Sequence, residues 1–256
     1  MLADAEIALY QPPSALLRGR VIAVTGAGDG VGRAVAVAAA GLGAEIILIG
    51  RTVKRLEAVE AEIAALAPAA PAASIAPLDL EKALAGDYDR LAAALLERYA
   101  RLDGLVHCAA ILGALAPIEH ADMRNWCRVL HVNLTAAFVL TQTLMPLLRA
   151  SRDASLVFTS SAVGRRGRAY WGAYSISKFA VEGFTQVLAH ELEGTSTVRV
   201  NVIDPGKVRT SMRRQAYPSE VAESLPTAES LTAAYVALLG PASRGVTGQR
   251  FQAQEA

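Results

Sequence analysis

Cysteine is scarce in this sequence. Cys108 and Cys127 are its only two, and they fit no CxxC spacing, so a reducing cytoplasmic setting is expected. Charge of one sign is not in excess either. The 25 basic and 24 acidic residues leave a formal net charge of +1, which gives no electrostatic reason for a nucleic-acid partner. No window reaches about 18 uninterrupted apolar residues, so a membrane span is not indicated. The opening MLADAEIALYQPPSALLRGR lacks the basic start and apolar run of a signal peptide. Linkers, repeats and low-complexity blocks are missing. So is G-x-S-x-G, which removes the serine hydrolase reading.

What is present is a hydrophobic chain, 53% apolar over 256 residues, long enough for a large α/β core. Apolar runs alternate with helical patterns. Strands are expected at 20–26, 44–50, 74–80, 102–110, 154–161 and 197–205, with a short one near 248–252. Helices are expected at 30–43, 52–67, around 87–100, 126–148 (bent or ended by Pro146), 173–193 and near 228–239. The strand runs are apolar throughout rather than alternating, as in strands covered on both faces. The economical architecture is a Rossmann-type doubly wound parallel sheet of about seven strands with helices on both faces. It forms a single domain over 20–256, preceded by an extension at 1–19. The irregular stretch 206–227 follows the sixth strand, where a lid over a ligand would lie.

The first strand runs into TGAGDGVG (25–32). This is not G-x-G-x-x-G. It is T-G-x-x-x-G-x-G, through Thr25, Gly26, Gly30 and Gly32, with Gly28, Asp29 and Val31 between them. A turn without Cβ atoms lets backbone N–H groups and a helix N-terminus approach a pyrophosphate. A glycine-rich turn with no ligand is the alternative. At the end of the second strand stands Gly50-Arg51-Thr52, with no carboxylate for the ribose hydroxyls. A guanidinium at Arg51 suits a 2′-phosphate, so NADP(H) is expected over NAD(H), unless Arg51 is only a solvated charge at the next helix.

Tyr174 and Lys178 are four apart on a helix and share a face about 6 Å apart along the axis. A nearby ammonium is expected to lower the phenol pKa toward working pH. Tyr170 has no cation four residues on. An isolated YxxxK is most often an aromatic on an apolar face beside a solvated lysine.

In combination, TGxxxGxG, a late strand ending in two serines, and YxxxK opening the next helix resemble the short-chain dehydrogenase/reductase family over Arg20 to about Phe251. The wording VFTSSAVGRRGRAYWGAYSISKFA is most similar to that family's bacterial YciK-type oxidoreductases. The resemblance implies a catalytic set of Asn133, Ser161, Tyr174 and Lys178. Tyr174 would exchange a proton with the substrate oxygen, and Ser161, thirteen residues earlier, would hold that oxygen. Lys178 would depress the tyrosine pKa and grip the nicotinamide ribose. Asn133 would hold a water. Pro205, Gly206, Val208 and Thr210 would seat the nicotinamide side, Asp79 and Leu80 would lie near the adenine, and Ala109 beside the cofactor. Relatives carry NNAG where this chain has His107-Cys108-Ala109-Ala110. Cys108 lacks an amide, and Ala110 adds a methyl, so weaker scaffolding or a shifted cofactor is expected there. Cys108 reads as a small buried thiol, and no metal site is expected.

Two functions remain open: an NADP(H)-dependent oxidoreductase on a carbonyl or alcohol, or a cofactor-binding sensor or scaffold without turnover. Arg165, Arg166, Arg168, Arg213 and Arg214 either greet an anionic substrate or are solvated charge. The resemblance further implies a homodimer or homotetramer through helices 121–148 and 173–193. The extension either packs against a neighbour or is loose.

Overall fold

A computed structural model describes residues 7–66 and 71–254. Residues 1–6, 67–70, 255 and 256 lie outside the described residues, and with them the start of the expected extension, the last residue of the second helix and the end of the expected domain. The chain runs β1 (Val21–Thr25), α1 (Gly30–Gly41), β2 (Glu45–Gly50), α2 (Val53–Leu66), β3 (Ser74–Pro77), α3 (Ala85–Tyr99) and β4 (Gly104–His107). It continues through α4 (Met123–Leu130), a π turn (His131–Thr135), α5 (Ala136–Arg149), β5 (Ser155–Thr159), α6 (Gly172–Leu192) and β6 (Arg199–Asp204). Last come α7 (Ser211–Ala216), α8 (Thr232–Leu239) and β7 (Arg250–Gln252).

All seven strands are parallel, in the order β3-β2-β1-β4-β5-β6-β7. The apolar runs follow from this. Ile22 and Val24 of β1 pack into a core with Val35 of α1 and Tyr235 of α8. Val21 and Ala23 face the opposite core, with Leu140 and Leu144 of α5 and Val181 of α6. Both faces of a strand are therefore dry, and polar alternation is lost. The order reverses where β1 pairs with β4, Val24 opposite Val106. The carboxyl ends of those two strands part there and leave the crevice in which such sheets take ligands.

Several elements differ from expectation, among them β4 and β5, which end at His107 and Thr159 rather than at residues 110 and 161. β3 stops at Pro77 rather than residue 80, because the Asp79 carbonyl turns to accept from Lys82 and Ala83. The long helix is continuous from Met123 to Arg149 but contains the π turn, and Pro146 sits in its last turn, three residues before it ends. That helix is long and apolar enough to cross a bilayer by composition alone, yet its Leu140, Leu144, Leu147 and Leu148 are spent on the core. Finally, the described part of the extension packs on its own chain. Ile7 and Leu17 are fully buried in the α1–α8 core, and the Leu17 N–H donates to the Leu42 carbonyl at 3.0 Å.

Candidate active site

A cleft of about 780 Å³ runs along the carboxyl ends of the strands, from Arg51 and Asp79 at one end to Trp171 and Gln215 at the other. The glycine loop forms one wall. Gly26 has φ +66°, and a Cβ there would meet the Ala109 backbone at 2.9 Å. The β1 and β4 chain ends thus touch only because residue 26 has no side chain. A Cβ on Gly32 would come closer still to the Gly26 carbonyl, so α1 starts directly on the loop. Asp29 caps α1, its Oδ1 accepting from Gly30 N at 2.7 Å. Gly26, Gly28, Asp29, Gly30, Val31 and Gly32 all line the cleft.

Thr25 does not line it. Its hydroxyl is buried and accepts from the N–H groups of Cys108 at 3.2 Å and Ala109 at 3.1 Å. The expected cofactor contact is thus a brace between β1 and β4.

At the far end, Arg51, Asp79 and Leu80 line the cleft as expected. The Asp79 carboxylate caps its own turn by accepting from Glu81 N. Arg51 is 58% exposed and sits a loose 3.8 Å from Glu81. Sequence reading missed Arg55. It is 63% exposed, lies 3.4 Å from Asp29 and lines the same wall. Its signal was present, since Arg55 follows Arg51 by four residues and lies in the first turn of α2. Two exposed, weakly paired guanidiniums at the mouth and a glycine cradle fit a phosphorylated dinucleotide.

The other end gathers Ser161, Tyr174 and Lys178 on the cleft wall. The adjacent serines diverge. Ser160 is buried and donates to Glu182 Oε1 at 2.7 Å, while Ser161 turns to the phenol of Tyr174. Burial pushes that phenol up to about 12 against the opposing hydrogen bond from Ser161. Burial also brings the Lys178 ammonium down to about 8. The expected lowering of the tyrosine by the lysine is therefore not what this arrangement shows. Both groups lose water, and desolvation is the largest cause of each shift. Lys178 Nζ instead donates to the Thr159 carbonyl at 2.7 Å and lies 5.6 Å from the centroid of the Tyr174 ring. Pro205, Gly206, Val208 and Thr210 close this end from the β6 side.

Asn133 lies in the π turn, 3% exposed, and does not line the cleft. Its Oδ1 accepts from Ile111 N at 2.8 Å, and its Nδ2 donates to Ile111 O and Ser177 Oγ, both at 3.0 Å. The side chain clamps the chain beyond β4 to α6.

The departure at residues 107–110 does not leave the strand ends untied. Cys108 Sγ contacts Thr159 Oγ1 at 3.3 Å across to β5, and Thr159 Oγ1 lies 3.2 Å from the Tyr235 hydroxyl. Burial pushes the thiol up to about 11, which leaves it inert. His107 stacks on Phe158 and its Nε2 lies 2.9 Å from Thr141 Oγ1. Burial first, and the Lys178 charge second, draw its pKa down to about 3.

Within 206–227, where a lid is expected, the Thr210 hydroxyl accepts from Arg213 N and starts α7. Ser211 donates to Asp29 at 2.7 Å, joining lid to glycine loop. Arg213 is held by Glu220 through two bonds of 2.6 Å and stacks 3.7 Å over Tyr217. Arg168 bonds the Tyr217 hydroxyl and lies over Trp171. Arg165 is 3.7 Å from Glu182. Arg166 and Arg214 are exposed. Beneath the lid the wall is apolar. Leu112, Val129, Val163 and Tyr174 pack with Trp171, Met212 and Ala216.

Comparison with known proteins places these features in a family. The family model for short chain dehydrogenases matches residues 20–221. The chain is 45% identical over 245 residues to the uncharacterized oxidoreductase YciK of Escherichia coli (strain K12), covering 96% of each. It superposes on the short chain dehydrogenase from Shigella flexneri with TM-score 0.94 and 43% identity, over 97% of this chain and 96% of that one. A structure from Escherichia coli CFT073 complexed with NADPH matches with TM-score 0.92 and 44% identity, over 95% of this chain and all of that one. By sequence and by fold, the chain belongs to the short-chain dehydrogenase family.

Proposed function

We propose that the protein is an NADP(H)-dependent oxidoreductase acting on a carbonyl or alcohol, with Tyr174 as its general acid/base. The observation that carries this reading is a shared cleft. Ser161, Tyr174 and Lys178 line the same space as the glycine loop and Arg51. The complex of a relative with NADPH supports the cofactor, as do the two guanidiniums at Arg51 and Arg55.

The bound cofactor would supply hydride chemistry at its nicotinamide. The chain supplies the rest. Arg51 and Arg55 would hold the 2′-phosphate, the N-terminus of α1 the pyrophosphate, and Lys178 the nicotinamide ribose. Ser161 hydrogen-bonds and orients the substrate oxygen. With its pKa near 12, Tyr174 stays protonated at neutral pH, the state needed to donate to a carbonyl oxygen. Asn133 acts through the scaffold, fixing Ile111 and Ser177 around the site.

The apolar wall under the lid supports a neutral carbonyl substrate with a hydrophobic flank. Arg213 is held by the Glu220 carboxylate through two short bonds and is a poor receiver for an anion. Oxidation of NADPH against ketones, aldehydes, quinones and 3-oxoacyl thioesters tests this, and a preference for anionic carbonyls refutes it. Phe138 of α5 and Ile176, Phe179 and Val187 of α6 are exposed, which supports assembly through those helices.

The central test is Tyr174→Phe. NADPH binding should persist while turnover falls by about 10²–10⁴. Tyr170, 61% exposed and at positive φ, should tolerate the same change. Full activity in Tyr174→Phe would remove the assignment.

A further inference from the structure

Tyr174, Lys178 and Glu182 succeed one another at four-residue intervals on one face of α6. The first two line the cleft; Glu182 lies behind it, 5% exposed. Its Oε1 accepts from Ser160 Oγ at 2.7 Å and from Arg250 Nε at 3.1 Å. Arg250 Nη2 reaches Asp204 Oδ2 at 3.1 Å, and Asp204 Oδ1 accepts from Gly206 N at 2.9 Å. The chain of contacts thus starts beside Ser161 at the end of β5 and finishes at Gly206 in the loop after β6. The turn above it is closely packed. A Cβ on Gly164 would meet Ser160 Oγ at 2.7 Å and Glu182 Oε1 at 3.1 Å.

Buried carboxylates are costly, and an ion pair of this kind seldom stabilises more than apolar packing of the same volume. Placement is what it offers. Ser160 and Gly206 follow adjacent strands, and Ser160 N donates to the Ile203 carbonyl at 2.7 Å; the side-chain contacts carry that backbone tie onward to Ser160 Oγ and to Gly206 N, which the ladder itself does not reach. Arg250 also lies beyond the residues 20–221 that match the family model.

We propose that Glu182 and Arg250 are positioning residues, a charged clamp that holds the Ser161 side of the cleft in register with the Pro205–Gly206 side. The proposal rests on the oxidoreductase reading above. Burial raises Tyr174 and lowers Lys178, and the Asp204 charge adds a smaller upward push to each, so a shift of this clamp reaches the proton-transfer groups.

The test compares Ser160→Ala, Glu182→Gln, Arg250→Met, Arg250→Lys and the double variant Glu182→Gln/Arg250→Met. Each is measured for NADPH affinity by nicotinamide fluorescence, for kcat and KM on the best carbonyl, and for melting. A hydrogen bond to a charged group contributes enough that Ser160→Ala should lower kcat about tenfold, with NADPH affinity and KM within about twofold. Arg250→Met should weaken NADPH by about fivefold and lower kcat, Arg250→Lys should recover most of both, and the double variant should lose no more than the worse single one. Variants that melt lower yet keep kcat and NADPH affinity, or additive losses in the double variant, overturn the proposal. If Arg250→Met does not fold, Ser160→Ala, which removes one hydroxyl, decides through kcat. If the parent reduces no carbonyl, the oxidoreductase reading has failed, and NADPH affinity in the Arg250 variants decides the clamp alone.

Discussion

Lys178 Nζ donates to the carbonyl oxygen of Thr159 at 2.7 Å. The bond runs from α6 to the last residue of β5 and fixes an ammonium in a nearly dry place, 4% exposed.

That burial has a consequence for stability. The Lys178 pKa falls from 10.5 in the unfolded chain to about 8 in the folded one. Between those values the unfolded chain binds more protons, so this residue makes stability rise with pH across that window. Tyr174, raised from 10.0 to about 12, acts with the opposite sign and only above 10. Below pH 10, therefore, the parent should gain on a Lys178→Met variant as pH rises from about 7, by up to about 3 kcal/mol for the full shift. Melting curves of the two proteins across that range would show it. A gap that stays constant with pH would disprove the shifted lysine.

In the proposed function the guanidiniums at the mouth set cofactor choice. Charge-assisted bonds to a phosphate suggest that Arg51→Ala weakens NADPH by roughly tenfold or more while NADH changes by less than about twofold. Arg55→Ala should act in the same direction, since its exposed pairing with Asp29 is weak and easily exchanged. Fluorescence titration of both nucleotides measures this. A parent that binds NADH as well as NADPH would refute the assignment.

Asn133 supports the site through three hydrogen bonds. Asn133→Ala leaves both backbone groups of Ile111 without that partner and should destabilise the fold by about 2–4 kcal/mol. Denaturant midpoints measure the loss. Unchanged stability with lost turnover would instead give the side chain a direct part in the chemistry.

Much of this was legible in the residues. Strands covered on both faces read as unbroken apolar runs, so RVIAVTG and AEIILIG declared a parallel sheet. Four-residue spacing put Tyr174 and Lys178 on one face, and the family resemblance, not spacing alone, selected Ser161 thirteen residues before Tyr174. Other features were not legible because they depend on distant partners. The π turn at Asn133 exists to meet Ile111 and Ser177. Cys108 ties to Thr159, which no property of HCAA foretells.

The sequence by itself determined the periodicities, and with them the order of elements, the glycine loop and the residues able to exchange a proton. These are local properties, set by steric limits and spacing along one chain. Tertiary structure decided what those residues are worth. It removed water from Tyr174 and Lys178 and so reversed the expected pKa effect, paired Arg213 with Glu220, and brought Arg250 to Glu182 and Asp204 from the last strand. Desolvation and ion pairing depend on what surrounds a group in space, which spacing along the chain does not specify.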